Sequence, residues 1–124
     1  MDHQENTVKV FPNGDKRWYR DGELHRTDGP AVECSNGARE WYLDGKRHRT
    51  DGPAIEHADG AKYWYQEDKL HRTDGPAIEY ADGTREWYLY GKEVTEEEVM
   101  NSQVRELTVQ EISELLGYEI KVVK

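Results

Sequence analysis

Apolar and polar residues alternate in short runs along this chain, and the runs recur every 23 residues. In the third copy, Ala54-Ile55-Glu56-His57-Ala58 and Ala61-Lys62-Tyr63-Trp64-Tyr65 flank Asp59-Gly60. That pattern predicts strand, tight turn, strand. Trp18, Trp41, Trp64 and Trp87 mark the step, each followed by a tyrosine. Turn dipeptides keep the same phase at Asn13-Gly14, Asn36-Gly37, Asp59-Gly60 and Asp82-Gly83, where a primed two-residue turn is expected. A second turn follows each Trp-Tyr strand, at Asp21-Gly22, Asp44-Gly45 and Tyr90-Gly91. In the third copy Asp68 replaces the glycine, so either a distorted turn or a left-handed aspartate is expected there.

The two-residue period of a strand assigns the faces. Each tryptophan shares a face with the residue two before it: Lys16, Arg39, Lys62 or Arg85. Tyr19, Tyr42, Tyr65 and Tyr88 fall on the opposite face, beside Glu40, Tyr63 or Glu86. In the first strands Val32, Ile55 and Ile78 share one face, and Glu33, Glu56 and Glu79 the other. Stacked hairpins then give a tryptophan ladder with interleaved cations, backed by a tyrosine ladder. The ladder has two readings. In one the cations pack over neighbouring indoles; in the other the aromatic face docks a partner, since Trp, Tyr and Arg dominate interaction hot spots.

Between hairpins, His-Arg-Thr-Asp-Gly-Pro-Ala occurs unchanged three times, at 25–31, 48–54 and 71–77. Asp-Gly supplies a bend and Pro lacks an N–H, so the block reads as the link that sets the stacking step. Arg26, Arg49 and Arg72 are expected to pair with Asp28, Asp51 and Asp74, locally or in the neighbouring repeat. His25, His48 and His71 would form a ladder about 10 Å apart, two strand spacings. That is too far for successive histidines to share a metal ion, and no metal or other cofactor is expected. Three identical copies also argue against catalysis, which needs one convergent constellation. The chain is read as a non-enzyme.

After Gly91-Lys92 the pattern changes. Thr95 with Glu98, and Thr108 with Glu111, form capping boxes. Short helices are predicted over 96–104 and 109–116, and an alternating strand over 118–123. Val99, Val104, Leu107, Ile112, Leu115 and Leu116 suit a cap over the last repeat, or a docking element. The expected architecture is mainly β: an elongated single-layer antiparallel meander of four hairpin repeats over 7–94, closed by an acidic helical and short-strand cap over 95–124.

Composition fits a thin structure. The chain of 124 residues is 35% charged and 35% hydrophobic, with one Phe beside four Trp and eight Tyr, and its mean hydropathy is −1.09. Amphipathic aromatics must therefore do much of the burying. Cys34 is the only cysteine, which excludes a disulfide framework and favours a small packing residue over a nucleophile. The net charge of −9 argues against direct nucleic-acid binding and against anionic membranes. With no long apolar run, a cytoplasmic location is expected.

Ala58-Asp59-Gly60-Ala61-Lys62-Tyr63-Trp64-Tyr65 with Lys69-Leu70-His71 resembles a MORN repeat. The likeness runs over about 7–94, and the His-Arg-Thr-Asp-Gly-Pro-Ala block departs from it. The chain is also similar to small tandem-repeat proteins of bacteria and their phages. The MORN resemblance implies an antiparallel repeat sheet that acts as a protein-interaction scaffold. For a phage-encoded chain, the expected role is inhibition of a host defence protein by occlusion, in the host cytoplasm. The partner is expected to be another protein, contacted through Trp18, Trp41, Trp64, Trp87, Arg39, Lys62, Arg85, Tyr42 and Tyr65. A homodimer through the exposed first strand stays open. The alternative is an acidic nucleic-acid mimic that blocks a DNA-binding protein with the row Glu33, Glu56 and Glu79.

Overall fold

A computed structural model describes residues 6–104. Fourteen strands and one helix are present among them: β1 Asn6–Val10, β2 Lys16–Arg20, β3 Glu23–Leu24, β4 Val32–Glu33, β5 Arg39–Glu40, β6 Tyr42–Leu43, β7 Lys46–Arg47, β8 Ile55–Glu56, β9 Lys62–Tyr63, β10 Tyr65–Gln66, β11 Lys69–Leu70, β12 Ile78–Glu79, β13 Arg85–Leu89, β14 Lys92–Val94 and α1 Glu96–Val104. The chain is mainly β, an open antiparallel meander with a short helix at its end. The second helix predicted over 109–116, its Thr108–Glu111 cap and the strand over 118–123 lie outside the described residues.

The main sheet runs β1-β2-β4-β5-β8-β9-β12-β13-β14, and β3 pairs with β2. Its registers put Lys16, Glu33, Arg39, Glu56, Lys62, Glu79 and Arg85 directly opposite one another in that order. This row alternates in charge across seven strands, so each carboxylate lies between two cations on the pleat. The row on the other face reads Arg17, Val32, Glu40, Ile55, Tyr63, Ile78 and Glu86.

Each central Trp-Tyr strand serves two pairings. Its first half, β5 or β9, lies in the main sheet, while its second half, β6 or β10, pairs with its own return strand, β7 or β11. Trp41 and Trp64 stand at the change of partner. There each donates its N–H to a heptad alanine carbonyl, Ala54 or Ala77, and accepts the N–H of His48 or His71.

The two kinds of turn differ. At Asn36-Gly37 only the glycine is left-handed (φ 97°). Gly37 N–H bonds Cys34 O (2.9 Å) and Cys34 N–H bonds Ala38 O (2.9 Å). This is a four-residue turn closed by a left-handed glycine, and not the primed two-residue turn that Asn-Gly suggested. Asn36 Oδ1 accepts the Ala38 N–H (3.0 Å). Asn13, Asp59 and Asp82 do the same two residues on, which holds the asparagine in an ordinary right-handed conformation. The primed turns are the second set. Asp44 and Gly45 have φ of 50° and 78°, and the exceptional Glu67-Asp68 turn keeps that geometry at 49° and 67°. Asp68 thus takes the left-handed alternative, and its carboxylate binds Arg47.

The core is thin. Among the described residues Ala31, Val32, Ala54, Ala61, Ala77, Ile78 and Val99 are buried, while the tryptophans and most tyrosines are half-buried. The last repeat ends under α1, which lies against β13. Its capping box forms as the sequence predicts: Thr95 Oγ1 accepts the Glu98 N–H (3.1 Å), and Glu98 Oε1 accepts the Thr95 N–H (3.4 Å).

Candidate functional site

The heptad is the joint between repeats, and nearly every residue in it has a contact that explains it. Arg49 stacks on Trp41, its guanidinium carbon 3.8 Å from the ring centroid. The same guanidinium donates to Asp51 Oδ1 (2.9 Å), Pro53 O (3.0 Å) and Glu56 Oε2 (3.2 Å). Arg26 on Trp18 and Arg72 on Trp64 repeat the arrangement, with Asp28, Pro30 and Glu33, and with Asp74, Pro76 and Glu79. The predicted pairing of Arg26, Arg49 and Arg72 with Asp28, Asp51 and Asp74 is local, within one heptad.

The heptad glycine leaves room for that guanidinium. A Cβ on Gly52 would stand 2.8 Å from the Arg49 guanidinium carbon, and one on Gly75 2.7 Å from that of Arg72. Proline offers its carbonyl, and the alanine is fully buried against the preceding tryptophan strand. The exposed Thr27 and Thr50 carry no such explanation.

The histidines connect one repeat to the next. His25 Nδ1 accepts the Asp44 N–H (2.9 Å), His48 Nδ1 the Glu67 N–H (3.0 Å) and His71 Nδ1 the Tyr90 N–H (2.9 Å). Each donor is the left-handed first residue of the neighbouring primed turn. Backbone bonds flank the contact, Arg26 N–H to Tyr42 O (3.2 Å) and Gly45 N–H to Leu24 O (2.9 Å) in the first joint. An accepting Nδ1 requires the neutral tautomer with its proton on Nε2. Burial pushes the His71 pKa down.

These joints enclose a row of open clefts, one over each clamped indole. The cleft at Trp41 has a volume of 570 Å³ and is bounded by Arg26, Thr27 and Asp28 of one heptad and by His48, Thr50 and Asp51 of the next. The cleft at Trp64, 400 Å³, lies between two heptads in the same way, whereas the one at Trp18, 420 Å³, is bounded by a single heptad and by Asn6 of β1. Their outermost carboxylates are well exposed, Asp28 at 82% and Asp51 at 83% of the side chain. The paired arginines hold both below the usual aspartate range, so the rims carry fixed negative charge.

The structure divides the residues predicted for partner contact. Trp18, Trp41 and Trp64 floor the clefts. Trp87 opens no heptad joint, because Glu93-Val94 follows where the next block would begin, and it pairs with Val94. Arg39, Lys62 and Arg85 are exposed in the alternating charge row, and the cation over Trp18, Trp41 and Trp64 comes from the heptad instead. Tyr42 and Tyr65 belong to the other face. Tyr42 donates to Glu40 (2.8 Å), and burial with that bond pushes its pKa up to about 12. Tyr65 lies under the Arg47 guanidinium (4.1 Å).

The sequence carried a signal for the clamp that period-two reasoning missed. Arginine follows tryptophan by eight residues, and glutamate follows arginine by seven, in all three copies. Glu33, Glu56 and Glu79 are each held by a clamp arginine as well as flanked by pleat cations, so they present no row of free carboxylates. Among the described residues no cluster of His, Cys, Asp and Glu could hold a metal ion. Burial raises the Cys34 thiol pKa, which opposes thiolate formation. No helix of the described residues is long and apolar enough to cross a membrane.

Fold and site together define an open β-repeat array whose recurring joints form a row of similar surface clefts. Compared with family models, curated proteins and solved structures, the chain matches none.

Proposed function

We propose that this chain is a non-enzymatic interaction module that binds a protein partner through the row of heptad clefts. One observation carries the proposal: a cleft with an indole floor, a clamped arginine and two aspartate rims occurs at Trp41 and again at Trp64, 23 residues on, with a one-sided counterpart at Trp18. Repetition suits a partner that meets the surface at several points, whereas a reaction needs one convergent site. Each cleft's arginine is already engaged and each histidine Nδ1 is occupied. That leaves recognition, and not proton or group transfer, as the chemistry on offer.

The exposed aspartates and the net charge of −9 favour partner surfaces with lysine or arginine side chains that enter the clefts. MORN-like scaffolding agrees with this reading, and so does occlusion of a host protein by a phage-encoded chain. The test is capture of partners from the source cell by the wild-type chain and by Thr50→Arg. Thr50 is exposed and borders the Trp41 and Trp64 clefts, so an arginine there obstructs their shared rim and places a cation on it while the joints stay intact. The expected result is loss of the captured protein at unchanged melting temperature. Equal capture by the folded variant would remove the clefts from the account.

A further inference from the structure

The two ends of the array are finished differently. At the C-terminal end β14 pairs with β13 and α1 lies against β13, with Val99 buried. At the other end β1 is the edge of the main sheet, and all five of its residues are exposed, Val8 at 49% and Val10 at 65%.

Hydrogen bonding shows which backbone groups of β1 face outward. Trp18 donates its N–H to Ala31 O (2.8 Å) and accepts the His25 N–H (3.0 Å), both on the side away from β1. Val8 is opposite Trp18 in the register. Its own N–H and C=O therefore point away from β2, and those of Asn6 and Val10 follow by alternation. Lys9 and Thr7 bond inward to Arg17 and Tyr19. The Phe11 N–H bond to Asp15 O (2.9 Å) keeps the same phase.

The repeat supplies an internal template for this edge. Val8 is in the phase of Ala31, Ala54 and Ala77, whose carbonyls accept the N–H groups of Trp18, Trp41 and Trp64. At Val8 the same carbonyl faces outward, and among the described residues no strand pairs with that side of β1.

We propose that β1 pairs antiparallel with β1 of a second copy about a two-fold axis at Val8, so that two arrays form one continuous sheet. Asn6, Val8 and Val10 meet Val10, Val8 and Asn6 of the other copy in hydrogen-bonded pairs, two bonds in each of three pairs. A two-fold axis at Thr7 or Lys9 matches only two such pairs, and the axis at Lys9 also sets the two lysines side by side. The Val8 register brings Val8 against Val8 and leaves Lys9 opposite Thr7. A two-fold contact of this kind closes on itself, so the product is a dimer and not a fibre.

The test is sedimentation of the full chain over a concentration series, with amide exchange on the same samples. The mass should rise from 14.5 kDa toward twice that value by about 1 mM, the range of a weak contact. Added salt should promote it, because both copies carry net −9. Exchange at Asn6, Val8 and Val10 should slow about tenfold on association, while Thr7 and Lys9 are protected at every concentration. Val8→Pro removes an outward N–H and no bond to β2, so this variant should remain monomeric with unchanged melting. Three results overturn the proposal: a monomeric wild type at about 1 mM, a dimer that survives in folded Val8→Pro, or a dimer in which Val8 exchange does not slow. If Val8→Pro does not fold, the wild-type exchange pattern decides.

Discussion

Arg49 holds Trp41, Asp51, Pro53 and Glu56 through one guanidinium. Planarity makes this possible, because the flat face stacks while the edge donates in several directions. Arg49→Ala should therefore destabilise by about 2 kcal/mol, combining a cation–π contact with lost charge-assisted hydrogen bonds. Arg49→Lys should recover little of that loss, since an ammonium cannot stack and donate in the same geometry. Denaturant midpoints check both. His71 gives a pH dependence with a definite sign. His71 is neutral in the folded chain, with Nδ1 occupied and its pKa below the usual 6.5. The unfolded chain takes up a proton as pH falls through 6.5, so stability is full above that value and falls below it, down to the folded pKa. His71 faces the Tyr90 ring (4.2 Å). The loss of melting temperature between pH 7 and pH 5 should be smaller in His71→Asn than in the wild-type chain.

At the scale of elements, alternation and turn dipeptides were enough to place hairpins, and the Thr95–Glu98 box was enough to start α1. Turn type was not legible, because Asn-Gly serves two geometries. The side chain of Asn36 decides between them by bonding Ala38 two residues on. Nor could period-two reasoning show that Trp41 and Trp64 stand where a strand changes partner, since the change depends on the heptad of the next repeat. The third primed turn offers a test. Asp68→Gly relieves a left-handed aspartate but loses the Arg47 ion pair. The relief is about 1–2 kcal/mol and the lost pair about 1 kcal/mol or less, of opposite sign, so the variant should melt within a few degrees of wild type. Asp68→Ala keeps the strain and loses the pair, and should be less stable by about 1 kcal/mol.

For the whole molecule, a chain poor in leucine and isoleucine folds by repeating one polar joint over a thin core of alanine, valine and isoleucine. The heptad looked like a link because Gly and Pro interrupt pairing. Its arginine, glycine, proline and alanine are instead the parts of a clamp that only the neighbouring strand reveals. Because the joints are equivalent, deletion of residues 48–70 should bring His71 into the phase of His48 and leave a folded, shorter array. Its denaturant m-value should fall by roughly a fifth, in proportion to the surface removed. The central claim is that these joints create the binding face. The direct measurement is the affinity of the captured partner for Thr50→Arg, in the clefts, and for Ala58→Arg, an exposed position beside Tyr63 and Tyr80. Thr50→Arg should weaken binding at least about a hundredfold, as loss of a central contact does, with Ala58→Arg near wild type. Equal binding by both, or loss only in Ala58→Arg, would contradict it.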